Sequence, residues 1–88
     1  MSGFPMKLVY FAWVRERIGR PEETLDLPPE LATVADLVAW LKSRGEEYAY
    51  AFETEGVVRA AIDRVHAKPE TPLAGASEVA FFPPMTGG

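Results

Sequence analysis

The sequence predicts an α+β domain in which one main helix packs on one face of a mixed sheet. Three observations carry that expectation. The runs "KLVYFAW" (7–13) and "SEVAFF" (77–82) are rich in β-branched and aromatic residues, as strands are. Between them "TVADLVAWLKSRG" (33–45) has helical periodicity. The two strand-like runs stand so far apart that pairing them side by side in parallel requires a long, right-handed crossover.

In "KLVYFAW", Leu8 and Tyr10 share one face and Val9, Phe11 and Trp13 the other, which suits a central strand at least partly covered on both sides. A polar connection with Gly19 and Pro21 leads to "ETLDL", where Leu25 and Leu27 alternate with Thr24 and Asp26 and so face a core, and the two runs read as a hairpin. Pro28 and Pro29 then lack the N–H groups a ladder needs. The helix places Val34, Leu37, Val38 and Leu41 at i, i+3, i+4 and i+7, on one stripe. Thr33 is its expected N-cap, with Asp36 three residues on in a near capping box, and Lys42, Arg44 and a C′ Gly45 supply the stop. "YAYAF" (48–52) fits a short helix or an irregular packed segment. "VVRAAID" (57–63) reads as a third strand with Val58, Ala60 and Ile62 on one face, followed by a polar turn region that includes His66. "TPLAG" (71–75) reads as a loop with a tight turn at Gly75, and "SEVAFF" is the last strand, in which Phe81 belongs to the core. The order β–β–α–β–β, with first and last strands side by side, is that of the ubiquitin-like β-grasp roll. Residues 1–5, "MSGFP", read as an extended terminus or a remnant of cloning that adds little to the fold, 6–83 as the domain, and 84–88 as an extended tail.

Composition narrows function. A chain of 88 residues forms one thin-cored domain that buries roughly 60 to 65% of its unfolded surface. There is no cysteine, which excludes disulfides, thiolate metal sites and cysteine nucleophiles, and any sulfur chemistry needs another attachment point. A net charge of −4 without a dense basic cluster argues against nucleic acid and for partners with a basic docking face. With neither a ~20-residue apolar run nor a leader sequence, no membrane association is expected and the expected location is the cytoplasm. Phosphate-binding and nucleophile-elbow motifs are absent. His66, the sole histidine, has no metal-ligand spacing around it and reads as an exposed or structurally bonded side chain, so neither a bound metal nor a bound cofactor is expected. The carboxylates are scattered on polar faces.

The end, "FFPPMTGG", is the chemically suggestive part. Glycine makes up about 7% of ordinary sequence, so a chance pair at the last two positions arises in only ~0.5% of chains. Two prolines favour extended backbone, and the four residues beyond them reach about 13 Å, enough to thread a narrow channel. Glycines at the tip leave the terminal carbonyl open to a partner enzyme. A carboxylate with a pKa near 3.5 is anionic and a poor acyl donor, so it must first be activated, and this chain has no nucleotide site of its own.

The residues "FAWVRE" (11–16), "TVADLVAWL" (33–41) and above all "SEVAFFPPMTGG" (77–88) closely resemble the MoaD family of molybdopterin synthase small subunits, over about residues 6–88. The resemblance implies a sulfur carrier, itself non-catalytic, whose Gly88 is adenylated by an E1-like enzyme and thiocarboxylated from a sulfur donor system. ATP is used by that activating partner. The sulfur then passes, in the active site of the large synthase subunit, to a cyclic pyranopterin monophosphate. Phe82, Pro83, Met85, Thr86 and Gly87 match the family's tail and would line the insertion path; Arg15 matches an arginine near the partner surface, a plain surface ion pair being its other reading. Asp63 stands where the family often has Asn, and Met85 where Val is common. A thiamine-pathway sulfur carrier, a protein modifier forming isopeptide bonds through its terminus, and a simple binding module are the alternatives that share a small fold with a free tail.

Overall fold

The computed structural model describes residues 3–54 and 56–84. The chain runs β1 (Phe4–Tyr10), α1 (Ala12–Ile18), β2 (Glu22–Leu27), α2 (Val34–Lys42), α3 (Glu46–Ala51), β3 (Arg59–Ile62), β4 (Val65–Ala67) and β5 (Glu78–Phe82). The strands form one mixed sheet in the order β2-β1-β5-β3-β4. β5 lies parallel to β1 with Leu8 opposite Val79 and Tyr10 opposite Phe81, and antiparallel to β3 on its other side. The crossover expected between the first and last runs is therefore present.

Alternation along these strands decides what the helices cover. Met6, Leu8 and Tyr10 of β1 and Val79 and Phe81 of β5 are buried in one cluster with Val14 and Ile18 of α1, Val34, Leu37 and Leu41 of α2, and Tyr48 and Ala51 of α3. Fully burying one such aliphatic side chain is worth about 1.5–3 kcal/mol. Phe81 is anchored by two rings, stacked near Tyr10 (centroids 6.2 Å, 15° between planes) and edge-on to Phe52 (5.1 Å, 78°). Phe4 packs against the same cluster, and the alternate residues of β1 and β5 face away from the helices.

α2 forms where the periodicity placed it. Thr33 caps it: the Asp36 N–H donates to the Thr33 hydroxyl (3.2 Å), and the Asp36 carboxylate accepts from the N–H groups of Thr33 (3.2 Å) and Ala32 (3.0 Å). Those bonds from backbone N–H groups hold the Asp36 carboxyl below its ordinary pKa. Gly45 plays a different part from the one expected. α2 stops at Lys42 with Ser43 as C-cap, whereas Gly45, with extended backbone (φ 176°), is the N-cap of α3, so the ambiguous stretch after it resolves as a helix.

Three further expectations are corrected. The first strand ends at Tyr10; Trp13 lies in α1, and the connection to β2 is this short helix in place of a polar loop. The turn into α1 uses Ala12 in a left-handed conformation (φ 53°), and the turn out uses Gly19 (φ 92°), whose N–H donates to the Arg15 carbonyl at 2.8 Å. "MSGFP" is partly structural, because Phe4 and Pro5 pair with Leu27 and Asp26, and a side chain at Gly3 would collide with the Leu27 carbonyl. Finally, His66 lies in an edge strand, opposite Ala61, where a turn region was expected.

The β3–β4 turn is made by Asp63 (φ 48°) and Arg64 (φ 73°), the backbone sense that suits a tight hairpin. Asp63 also ties this turn to the start of β5. Its carboxylate accepts from the N–H groups of Ser77 and Glu78, both at 3.0 Å, while its own N–H donates to the Glu78 carbonyl at 2.9 Å. Asp63→Ala removes both acceptors and puts a poorly suited residue at positive φ. It is expected to lower unfolding free energy by about 2 kcal/mol, and Asp63→Asn, which keeps an acceptor and tolerates the conformation, by less than half of that, as read from urea melts.

At the opposite edge, the half-buried Glu23 carboxylate accepts from the hydroxyls of Tyr48 (2.6 Å) and Tyr10 (2.8 Å) and from the Arg20 guanidinium (2.8 Å), fastening α3 to β1 and β2. Burial opposes its ionisation, but the three donors outweigh it and hold the carboxyl below its ordinary pKa. The tyrosines move the other way: burial first, then the neighbouring carboxylate, pushes the hydroxyl pKa of Tyr10 and of Tyr48 up. Because the folded-state pKa of Glu23 is depressed, its stabilisation is present above the unfolded value near 4.3 and is lost as pH falls through the folded value. Glu23→Gln is expected to cost about 1–2 kcal/mol at pH 7, and its difference from the parent should shrink steadily in melts run from pH 5 down to 3.

Candidate functional site

The site starts from the position of β5. This strand is the last of the described chain and lies in the middle of the sheet, so the segment after it leaves between two neighbours. The final pair in the ladder is Phe82 with Arg59. On the β1 side the last bond is from the Phe11 N–H to the Phe81 carbonyl, at 3.0 Å. Pro83 and Pro84 follow, half-buried, and without N–H donors they cannot extend the sheet. The tail therefore departs where β1 bends into α1.

Around this exit the face of the sheet opposite the helices is uncovered. Val9 and Phe11 from the β1 side, Ala80 and Phe82 from β5, and Ala61 from β3 line a shallow depression with Lys7, Glu22, Arg64 and Glu78 about it. Phe11 is 50% exposed. The ring of His66 meets Phe82 edge-on, with centroids 6.4 Å apart. The depression is therefore an apolar floor with a polar rim, beside the point where the chain leaves the sheet. Sequence reading missed Phe11, Val9 and Ala61 as residues with exposed surface, although a signal existed. The first strand is apolar on both faces, and one main helix was expected to cover only one of them.

Of the residues singled out from sequence, the structure brings Phe82 and Pro83 together at the exit. Arg15 lies one helical turn beyond Phe11, its N–H donating to the Phe11 carbonyl at 3.3 Å. It is exposed, and its guanidinium enters no ion pair or hydrogen bond among the described residues, in contrast to the surface ion pair held open for it. Met85, Thr86, Gly87 and Gly88 lie outside the described residues. α1 is held firmly beside the exit. Arg17 is sandwiched between the rings of Trp13 (4.5 Å) and Tyr50 (4.2 Å) and donates to the Tyr50 carbonyl (3.2 Å), so α1 and α3 share one cation–π stack. No group of three or more histidine or acidic side chains placed to hold a metal occurs among the described residues, and no helix there is long and apolar enough to cross a membrane.

A mixed sheet with its last described strand in the centre, helices on one face and an apolar depression on the other defines a ubiquitin-like β-grasp protein. A model of the ThiS family matches residues 8–88, and the chain belongs to that family. It is 34% identical over 83 residues to the molybdopterin synthase sulfur carrier subunit of Escherichia coli, covering 94% of this chain and 99% of that one. Among solved structures, one described as molybdopterin converting factor, subunit 1, from Pyrococcus furiosus superposes with a TM-score of 0.73 at 30% identity, covering 94% of this chain and all of that one. SAMP1 from Haloferax volcanii shares the fold with a TM-score of 0.70 at 24% identity, over 96% of this chain and 99% of that one.

The patch should contribute little to folding. Phe11→Ser is expected to change unfolding free energy by under about 1 kcal/mol in urea melts, whereas truncating its inward neighbour, Tyr10→Ala, should cost about 3–5 kcal/mol.

Proposed function

We propose that this chain is the sulfur carrier subunit of a molybdopterin synthase, with the Gly88 carboxylate as the group that carries sulfur. The observation that carries the proposal is the course of β5. The strand is locked centrally between β1 and β3 and leads through Phe82, Pro83 and Pro84 toward Met85–Gly88, beside an uncovered apolar patch. Its support from relatives is the near full-length identity to a molybdopterin synthase sulfur carrier subunit.

The chemistry divides between this chain and its partners. A carboxylate repels nucleophiles at neutral pH, so an E1-like partner that binds ATP joins a Gly88 carboxylate oxygen to the α-phosphorus and releases pyrophosphate. Hydrosulfide delivered by the donor system attacks the resulting acyl carbon, the C–O bond to AMP breaks, and after loss of the sulfur-bound proton a thiocarboxylate remains. In the large subunit that sulfur is transferred to a cyclic pyranopterin monophosphate, two such deliveries completing the dithiolene. This chain supplies no acid, base or metal in the scheme. It supplies a slender acyl group on a rigid body, with Phe82, Pro83, Met85, Thr86 and Gly87 along the insertion path and Arg15 beside it.

Intact-mass measurement after incubation with an E1-like enzyme, ATP and a sulfur donor is expected to show one oxygen replaced by sulfur, and addition of the large subunit and pterin precursor is expected to yield molybdopterin. An unchanged terminus, or isopeptide adducts on lysines of other proteins with no thiocarboxylate, would overturn the proposal. The double variant Phe11→Ser with Phe82→Ser is expected to weaken large-subunit binding by on the order of 10³-fold, since buried aromatic anchors are each worth about 2 kcal/mol or more.

A further inference from the structure

A second concave surface lies on the helix side of the sheet, away from the docking patch. It is a trough of about 320 Å³ between α2 and the β3–β4 hairpin, walled by Ala35, Ala39, Ala60 and Ala67 and floored by Phe52 and Phe81 among others. The trough is open because methyl groups stand where larger side chains would meet across it. Nothing in the sulfur-carrier scheme uses it.

Its charge is the opposite of the chain's. The whole protein carries −4, yet the charged residues lining the trough are Lys42, Arg59 and Lys68, without a carboxylate among the described lining residues. Arg59 pairs with Phe82 and so belongs by register to the far face, as does His66, opposite Ala61. That leaves the two lysines as the cations of the trough. Lys42 is the last residue of α2, and Lys68 precedes Pro69, whose carbonyl accepts from the Ala35 N–H at 2.8 Å in the first turn of the same helix. The lysines therefore mark opposite ends of an apolar channel, and α2 rises about 12 Å between Val34 and Lys42. Both are exposed, and neither joins an ion pair among the described residues.

We infer that the trough docks an extended segment of a protein partner in which about four apolar residues are flanked on each side by carboxylates. Two terminal cations match a ligand with two anionic ends, whereas a single-headed amphiphile would use only one of them. Four extended residues span about 13 Å, close to the rise of α2 along the trough. β4 adds a reason for an extended backbone, because it is the edge of the sheet, and Val65 on it is 69% exposed. A strand laid along that edge can bond to its main chain while alternate side chains enter the trough. Since the trough and the patch around Phe11 and Phe82 lie on opposite faces, a partner held here leaves the tail free to be delivered.

The probe is a fluorescein-labelled peptide, Glu-Asp-Val-Ile-Val-Leu-Asp-Glu, followed by anisotropy and by amide chemical shifts of the full chain. The expected result is saturable binding with shifts concentrated at Ala35, Ala39, Ala67 and Lys68. Binding should be at least tenfold weaker for the Lys42→Glu, Lys68→Glu double variant at unchanged melting temperature, and absent for a control peptide with lysines in place of its acids. Ala39→Trp, which plugs the channel, should abolish it, while sulfur loading by the E1-like enzyme remains normal in the charge-reversed chain. Shifts confined to Ala61, Ala80 and Phe82, equal affinity of the charge-reversed variant, no binding at all, or trough shifts produced by dodecanoate and not by the peptide would each overturn the inference.

Discussion

The structure depends on the parallel pairing of β5 with β1. That pairing puts the end of the described chain in the middle of a sheet, where it is held on both sides, and it forces the connection from β2 to β3 to pass over one face as α2 and α3. Parallel neighbours cannot be joined by a tight turn, so helices are the natural cover for the connection. Phe81 concentrates the consequence. Facing inward between Tyr10 and Phe52, it fixes the strand one residue before the chain turns outward as Phe82. The register that buries Phe81 is the same register that exposes Phe82, and a slip of one residue would exchange them.

From that constraint the two faces acquire different duties. On the inner face, α1, α2 and α3 complete a core, in which the Glu23 hydrogen bonds tie α3 to the sheet and the Arg17 stack ties it to α1. On the outer face no helix remains to cover Val9, Phe11, Ala61, Ala80 and Phe82. A domain this small has too few elements to shield both sides of a five-stranded sheet, so an apolar patch at the tail's base follows from topology as much as from the choice of side chains.

Much of this was legible beforehand, and the failures share a cause. α2 was clear because four apolar residues repeat at helical spacing behind a Thr33–Asp36 box, and β5 because Val79 and Phe81 alternate within a run closed by prolines. α1 was missed although Val14 and Ile18 stand four apart. Phe11 and Trp13 continue the alternation of β1, and the break between them is made by one alanine at positive φ, a residue that carries no turn signal. β4 is three residues long, too short to show a period, and its turn uses Asp63 and Arg64 where Asn-Gly would have announced it. The strand end at Phe82 and Pro83 was legible because prolines close the run, while Met85–Gly88 lie outside the described residues. The patch beside that strand end was not legible, because exposure of Phe11 depends on which face the helices choose, and that is a property of the whole sheet.

The central placement of the last strand also has a mechanical side. A load applied to the tail is shared by hydrogen bonds to β1 on one flank and to β3 on the other, all sheared together, where a strand at the rim would peel away bond by bond. Pulling on the chain beyond Phe82 therefore loads both ladders at once, and the body resists that pull better than one whose last strand lies at the rim.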